Sequence, residues 1–218
     1  MSELTLDTTS FDTPLRRTIF SLLSLGPLEA GKLQQIIYLA DLEHFWRHGR
    51  TLSGTAWMAR EYGPTSPGLD ASLVVLSHEG IQFDPPLAMR TPDPDEGPAM
   101  EPVVPAYTIC SLQAKLPARP GLEQTAQEVL AFIYKLAAPL KLDELTRLSF
   151  NTSPMLLAAS RGGGKAQWGE LITFNKNMAA EATALRGDTA TTEAQQAFKR
   201  GELARIADLQ QQALDQAR

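Results

Sequence analysis

The stretch "KLQQIIYLADLEHFWRHGR", residues 32–50, has apolar side chains on several sides of the helix that its spacing predicts. At about 100° per residue these side chains form three groups: Ile36, Ile37 and Ala40; Leu39, Leu42 and Trp46; and Tyr38 with Phe45. A helix that is apolar on several sides is covered by neighbouring elements over most of its surface. Gly49 is a typical residue for the end of such a helix. The stretch therefore predicts a buried central helix.

Four polar residues of this helix, Gln34, Asp41, His44 and His48, lie within one arc of about 80°. One interpretation is a zinc site, because two histidines four residues apart can bind zinc together with a carboxylate such as Asp41. The HExxH pattern is absent, however, and buried polar groups usually satisfy neighbouring backbone and side-chain groups. We therefore favour an architectural role and expect no metal and no cofactor.

The segments around this helix predict a mostly α (α+β) fold. Pro14 favours a helix from about residue 12, and Pro67 favours a second helix after Ser66 as its cap. The pieces "GIQF" (80–83) and "AYTI" (106–109) are typical of short strands, and we expect them to pair as a hairpin. Further helices are predicted in the second half of the chain.

Composition divides the chain into several parts. Residues 1–11 are a polar lead-in that we expect to be flexible, and residues 12–180 form the main domain. Within it, residues 84–105 are rich in proline and acidic side chains, which predicts an exposed insertion. Residues 190–218 predict an amphipathic C-terminal helix, whose apolar stripe must be buried on this chain or on a partner. The stripe includes Phe198, Ile206 and Leu209.

Bulk properties argue against several classes of function. The net charge is −5, whereas proteins that bind nucleic acid usually carry a basic excess, so we do not expect that partner. The single cysteine, Cys110, favours the reducing cytoplasm, and no run of about 20 apolar residues predicts a membrane span. The "RGGGK" stretch (161–165) lacks the Ser or Thr that completes a phosphate-binding loop, and no Gly-x-Ser-x-Gly elbow is present. The sequence indicates no enzyme.

A set of residues between positions 32 and 64 matches a known pattern in order and spacing. They are Lys32, Leu33, Gln34, Tyr38, Ala40, Asp41, Gly49, Gly54, Tyr62, Gly63 and Pro64. The stretch resembles the SocA-like antitoxin domain, also called the Panacea domain, and the resemblance extends from Leu15 to about Phe174. A second motif of that family is kept only in part, because Phe150 and Met155 stand where the family has histidine and tryptophan.

The resemblance implies an antitoxin that silences a toxin protein by binding to it directly. An alternative is an adaptor or scaffold that delivers a bound partner to a protease, and another is a DNA-binding regulator of its own promoter, against which the acidic charge counts. Self-association through the C-terminal helix is a further alternative. Each of these functions is carried out through contact with another macromolecule.

Two sets of residues receive specific roles. Arg60, Tyr62 and Thr65, near the Tyr-Gly-Pro turn, are predicted to contact the partner together with the apolar stripe of the C-terminal helix. Gln34 and Asp41 are predicted to form internal hydrogen bonds that fix the central helix against the Tyr-Gly-Pro turn. This hypothesis makes the polar residues of the helix part of the framework.

Overall fold

The computed structural model describes residues 13–86, 88–89, 102–113, 121–160 and 169–178. Six helices lie within these residues: α1 (Pro14–Leu23), α2 (Ala30–His48), α3 (Pro67–Ser77), α4 (Gln124–Ala137), α5 (Leu142–Phe150) and α6 (Ser153–Ser160). The strands in the same residues are β1 (Leu28–Glu29), β2 (Trp57–Arg60), β3 (Gly63–Thr65), β4 (Ile81–Asp84), β5 (Ala88–Met89), β6 (Pro102–Val103), β7 (Ile109–Leu112) and β8 (Leu171–Ile172). The predicted α+β class is confirmed.

Local sequence signals account for the start of α1, the end of α2 and, through Pro67, the start of α3. The Thr13 hydroxyl accepts a hydrogen bond from the Arg16 amide at 3.4 Å, and Pro14 occupies the first turn of α1. Helix α2 ends at Gly49, which has a left-handed φ of 73° and donates its amide to the Phe45 carbonyl. Helix α3 begins at Pro67, but the Ser66 hydroxyl pairs with the Thr55 hydroxyl at 2.6 Å and does not cap the helix.

Antiparallel pairing joins the strands into small sheets. Strands β4 and β7 pair as the sequence predicts, with Ile81 opposite Leu112 and Asp84 opposite Ile109, so that β7 begins three residues later than the "AYTI" piece. Strand β1 pairs with the other side of β7, and a second sheet has the order β3-β2-β8. Strands β5 and β6 pair within residues 84–105, so this insertion is not simply the loop that its composition predicts.

Helix α2 contributes a large share of the main hydrophobic cluster. Leu33, Ile36 and Ile37 are buried, and the helix contacts α1, α4, α5, β1 and β3. The Tyr38 ring meets the Trp57 ring of β2 edge to face, with 5.3 Å between the ring centroids. The helix is thereby packed against both helical and sheet neighbours.

Several predicted features lie outside the described residues. They are the lead-in 1–11, most of the insertion 84–105, and the C-terminal segment 190–218 with Phe198, Ile206 and Leu209. Within the described part of the chain, no helix is both long enough and apolar enough to cross a membrane.

Cys110 provides a test of this core. The residue is fully buried, and burial raises the pKa of its thiol to about 12. Because the thiolate is the reactive form, the native protein at pH 8 should react with a thiol reagent such as DTNB at least about 100-fold more slowly than the protein in urea. The absorbance of the released product gives both rates. Comparable rates in the two states would contradict the placement of Cys110.

Candidate functional site

The Asp41 carboxylate is the best-connected polar group of the motif 32–64. It is fully buried and accepts hydrogen bonds at Oδ1 from the amides of Leu52 and Ser53, at 2.8 and 2.6 Å. Its Oδ2 accepts from the Ser53 hydroxyl at 2.5 Å and from the Trp57 indole Nε1 at 2.8 Å. Asp41 therefore ties α2 to the segment that leads into β2, and not to the Tyr-Gly-Pro turn that the sequence analysis predicted.

The same contacts determine what Asp41 can do chemically. Burial raises the pKa of this carboxyl, and the hydrogen bonds from Ser53, Trp57 and Leu52 oppose that rise. A carboxylate has about four acceptor sites, and four donors already occupy them here. All four acceptor sites of the Asp41 carboxylate are thus occupied by donors of the chain itself, which is the arrangement expected of an architectural group.

The two histidines lie close to each other and apart from the Asp41 network. His44 is buried, and its Nδ1 lies 2.8 Å from the Arg50 carbonyl oxygen, which can only accept, so Nδ1 carries the hydrogen. Its Nε2 lies 4.0 Å from Glu123 Oε1, and the ring centroids of His44 and His48 are 4.6 Å apart. The described residues contain no group of three side chains that could hold a metal ion.

Contact between α2 and the Tyr-Gly-Pro turn is made by Gln35, not by the predicted Gln34. Gln35 is buried, and its Nε2 approaches the Pro64 carbonyl oxygen at 3.5 Å. Gly63 has a φ of 106°, and a Cβ atom there would lie 3.2 Å from the same Nε2. Gln34 is only half-buried. The predicted contact therefore exists, but one residue further along the helix.

Leu33, Tyr38 and two glycines of the motif also belong to the framework. Leu33 and Tyr38 are buried, and the Tyr38 hydroxyl shares a 2.7 Å hydrogen bond with the Thr152 hydroxyl. Gly49 and Gly54 have positive φ values of 73° and 66° in the connection between α2 and β2. Lys32 is half-buried at the start of the helix.

Strands β2, β3 and β8 present one outward surface, which we call the hairpin face: Met58, Arg60, Tyr62, Thr65 and Leu171. Trp57 and Ala59 point into the core, so the alternation along β2 directs Met58 and Arg60 outward. Thr65 and Leu171 lie opposite Met58 on the two neighbouring strands. Tyr62, in the turn, has 62% of its surface exposed, and Leu171 has 52%. The structure thus brings the predicted contacts Arg60, Tyr62 and Thr65 together.

The sequence patterns do not point to Ser53, Trp57 or Gln35. Ser53 and Trp57 lie 12 and 16 residues beyond Asp41 in the chain, so no helical spacing connects them with it. One signal could have indicated the bond between Trp57 and Asp41. A buried indole N–H needs an acceptor, and the strand that contains Trp57 follows soon after the helix that contains a carboxylate.

No protein-family model matches the chain, and comparisons with curated proteins and with solved structures likewise return no match.

Replacing Asp41 tests the network. In D41A, the amides of Leu52 and Ser53 and the Trp57 indole lose their acceptor, and each unpaired buried group costs about 1–3 kcal/mol. We therefore expect urea denaturation to show a free energy of unfolding lower by about 3 kcal/mol or more. An unchanged unfolding curve would show that these groups find other partners.

A double-mutant cycle isolates the bond to the indole. In D41N, the amide oxygen can still accept from Leu52 and Ser53, but its NH2 group faces the Trp57 N–H, so one donor opposes another. W57F removes that conflict, and should therefore destabilise D41N by about 1 kcal/mol less than it destabilises the original protein. Equal effects of W57F in the two backgrounds would exclude the hydrogen bond as a stabilising contact.

Two glycines with positive φ form a matched pair. G49A should lower the free energy of unfolding by about 1 kcal/mol from backbone strain alone, because no atom lies within 4 Å of the added Cβ. G63A should cost at least about 1 kcal/mol more, because its Cβ would also press on the Gln35 amide. Urea denaturation of both variants measures the difference, and equal losses would mean that Gln35 does not pack against the turn.

Proposed function

We propose that the protein is a cytoplasmic antitoxin that binds and neutralises a toxin protein produced with it. The main support is the resemblance of residues 32–64 to the SocA-like antitoxin domain, in which function lies in protein contact. The second support is the contrast in burial within the motif. Its buried residues form a framework, whereas its turn carries the exposed aromatic side chain of Tyr62. A surface of this kind favours binding to another protein over chemistry at the motif.

In this proposal the hairpin face, defined above, contacts the toxin. Tyrosine and arginine are enriched among the residues that dominate interface energies, and Tyr62 and Arg60 supply both types. Met58 and Leu171 add apolar surface beside them. The sheet and the Asp41 network hold the backbone that carries these side chains before the partner arrives, which reduces the entropy that binding must remove.

The proposal extends to the parts of the chain that the composition defines. Helix α2 acts as the central framework that carries the hairpin face. Residues 190–218 form a C-terminal helical extension, as the spacing of Phe198, Ile206 and Leu209 predicts.

Two exposed tyrosines provide a matched comparison for the proposed interface. The toxin to use is the product of an adjacent reading frame that is toxic when expressed alone. Y62A should weaken its binding about 30-fold, the effect of losing a contact of about 2 kcal/mol, and should reduce neutralisation in cells. Calorimetric titration measures the dissociation constant.

Y107A is the control, because Tyr107 is 68% exposed but lies between β6 and β7 and is not part of the hairpin face. It should leave the dissociation constant unchanged, and thermal melts should show that both variants fold. If the two substitutions changed the dissociation constant equally, the toxin would bind at a surface other than the hairpin face. If the unmodified protein did not bind this toxin, the antitoxin proposal itself would be wrong.

A further inference from the structure

A groove at the C-terminal end of α2 combines aromatic and cationic side chains. It has a volume of about 430 Å³ and is lined by Phe45, Trp46, Arg47, His48, Gly49 and Lys176, a set that we call the Trp46 groove. Trp46 is 46% exposed, an unusual position for the largest apolar side chain. The lining includes no acidic residue. An apolar occupant that also carries a carboxylate would therefore suit it.

The charges of the groove are only partly compensated. Arg47 contacts Glu43 at 2.6 Å and lies 5.4 Å from the centre of the Phe132 ring. Lys176 is exposed and forms no ion pair with any residue that the structure describes. A carboxylate placed beside Lys176 would gain an opposite charge without displacing an ion-pair partner among the described residues.

The described chain ends next to this groove. Met178 is fully buried in a small cluster against which Phe45 packs, and Lys176, two residues earlier, lines the groove. The chain continues to residue 218 from a point, Met178, that lies two residues beyond a residue of the groove. A linker of thirteen residues, 179–191, has a typical end-to-end distance of about 20 Å, which is more than enough to return to it.

The sequence of that segment offers both an apolar side chain for Trp46 and a carboxylate for Lys176. On the helix predicted for residues 192–218, Phe198, Glu202 and Ile206 recur every four residues, so they share one face. A carboxylate thus stands between two apolar side chains on the stripe that must be buried. This order of apolar and acidic groups complements Trp46 and Lys176.

We propose that residues 192–218 bind to the Trp46 groove of the same chain, with Phe198 against Trp46 and Glu202 beside Lys176. The contact covers the exposed indole and gives the Lys176 ammonium group a carboxylate partner. Attachment through a short linker favours this occupant over a second copy, because it raises the local concentration of the segment to the millimolar range. The inference goes beyond the antitoxin proposal and needs no toxin.

Disulfide trapping in the full-length chain tests the contact. K176C/E202C should form an intramolecular bond under mild oxidation at least about tenfold faster than Y107C/E202C, as judged by non-reducing electrophoresis and peptide mass spectrometry. The control position adjoins the other end of α2, where Ala106 accepts from the Gly31 amide, about 28 Å away for a helix of 19 residues. Cys110 is buried and contributes little background.

Each outcome bears directly on the proposal. A fast intramolecular bond supports it. A disulfide-linked dimer would overturn it in favour of a second copy as the occupant, and equal rates for the two pairs would show that the segment does not occupy the groove.

A charge exchange provides an independent measurement that does not depend on introduced cysteines. K176E should increase the rate of limited proteolysis within residues 192–218 about three- to fivefold, and adding E202K should restore the original rate. Circular dichroism of both variants verifies that the core is folded. Failure of E202K to restore protection would overturn the pairing of Glu202 with Lys176.

Discussion

The structure depends on one buried carboxylate. Removing a carboxylate from water is unfavourable by several kcal/mol unless donors surround it, and Asp41 is surrounded by four. Because two of those donors are backbone amides at Leu52 and Ser53, the chain that follows α2 must turn back along the helix. Because a third is the Trp57 indole, the first residue of β2 is held in place, and with it the strand that carries Met58 and Arg60.

The apolar pattern predicts α2 well, because its nineteen residues give the pattern about five helical turns over which to appear. It does not predict the partners of a polar residue. Gln34 and Gln35 differ by about 100° around the helix, so both can be placed on a plausible face, and packing against Gly63 decides between them. Internal hydrogen bonding of Asp41 is predictable from its place on an apolar helix, but its partners are not, because Ser53 and Trp57 approach it only through the tertiary fold.

For the strands, too, the sequence predicts some features and leaves others undetermined. The β4–β7 pair is predictable from two apolar pieces on either side of a proline-rich insertion, whereas its register is not. Strand β1 has two residues, too few for any alternation to appear. Strand β3 contains Pro64 in what the sequence analysis interprets as a turn. Its position at the edge of its sheet explains the discrepancy, because an edge strand can lack one amide donor without losing its pairing with β2.

The buried framework and the exposed surfaces proposed for recognition are separate in this chain, although both depend on α2. Its middle holds Asp41, which anchors the hairpin face through Trp57, and its last turn carries Trp46, which stays half-exposed. A helix cannot rotate to bury Trp46 more deeply without moving Asp41 by the same angle away from its four donors. The four hydrogen bonds of Asp41 therefore help to hold the Trp46 indole in its half-exposed position.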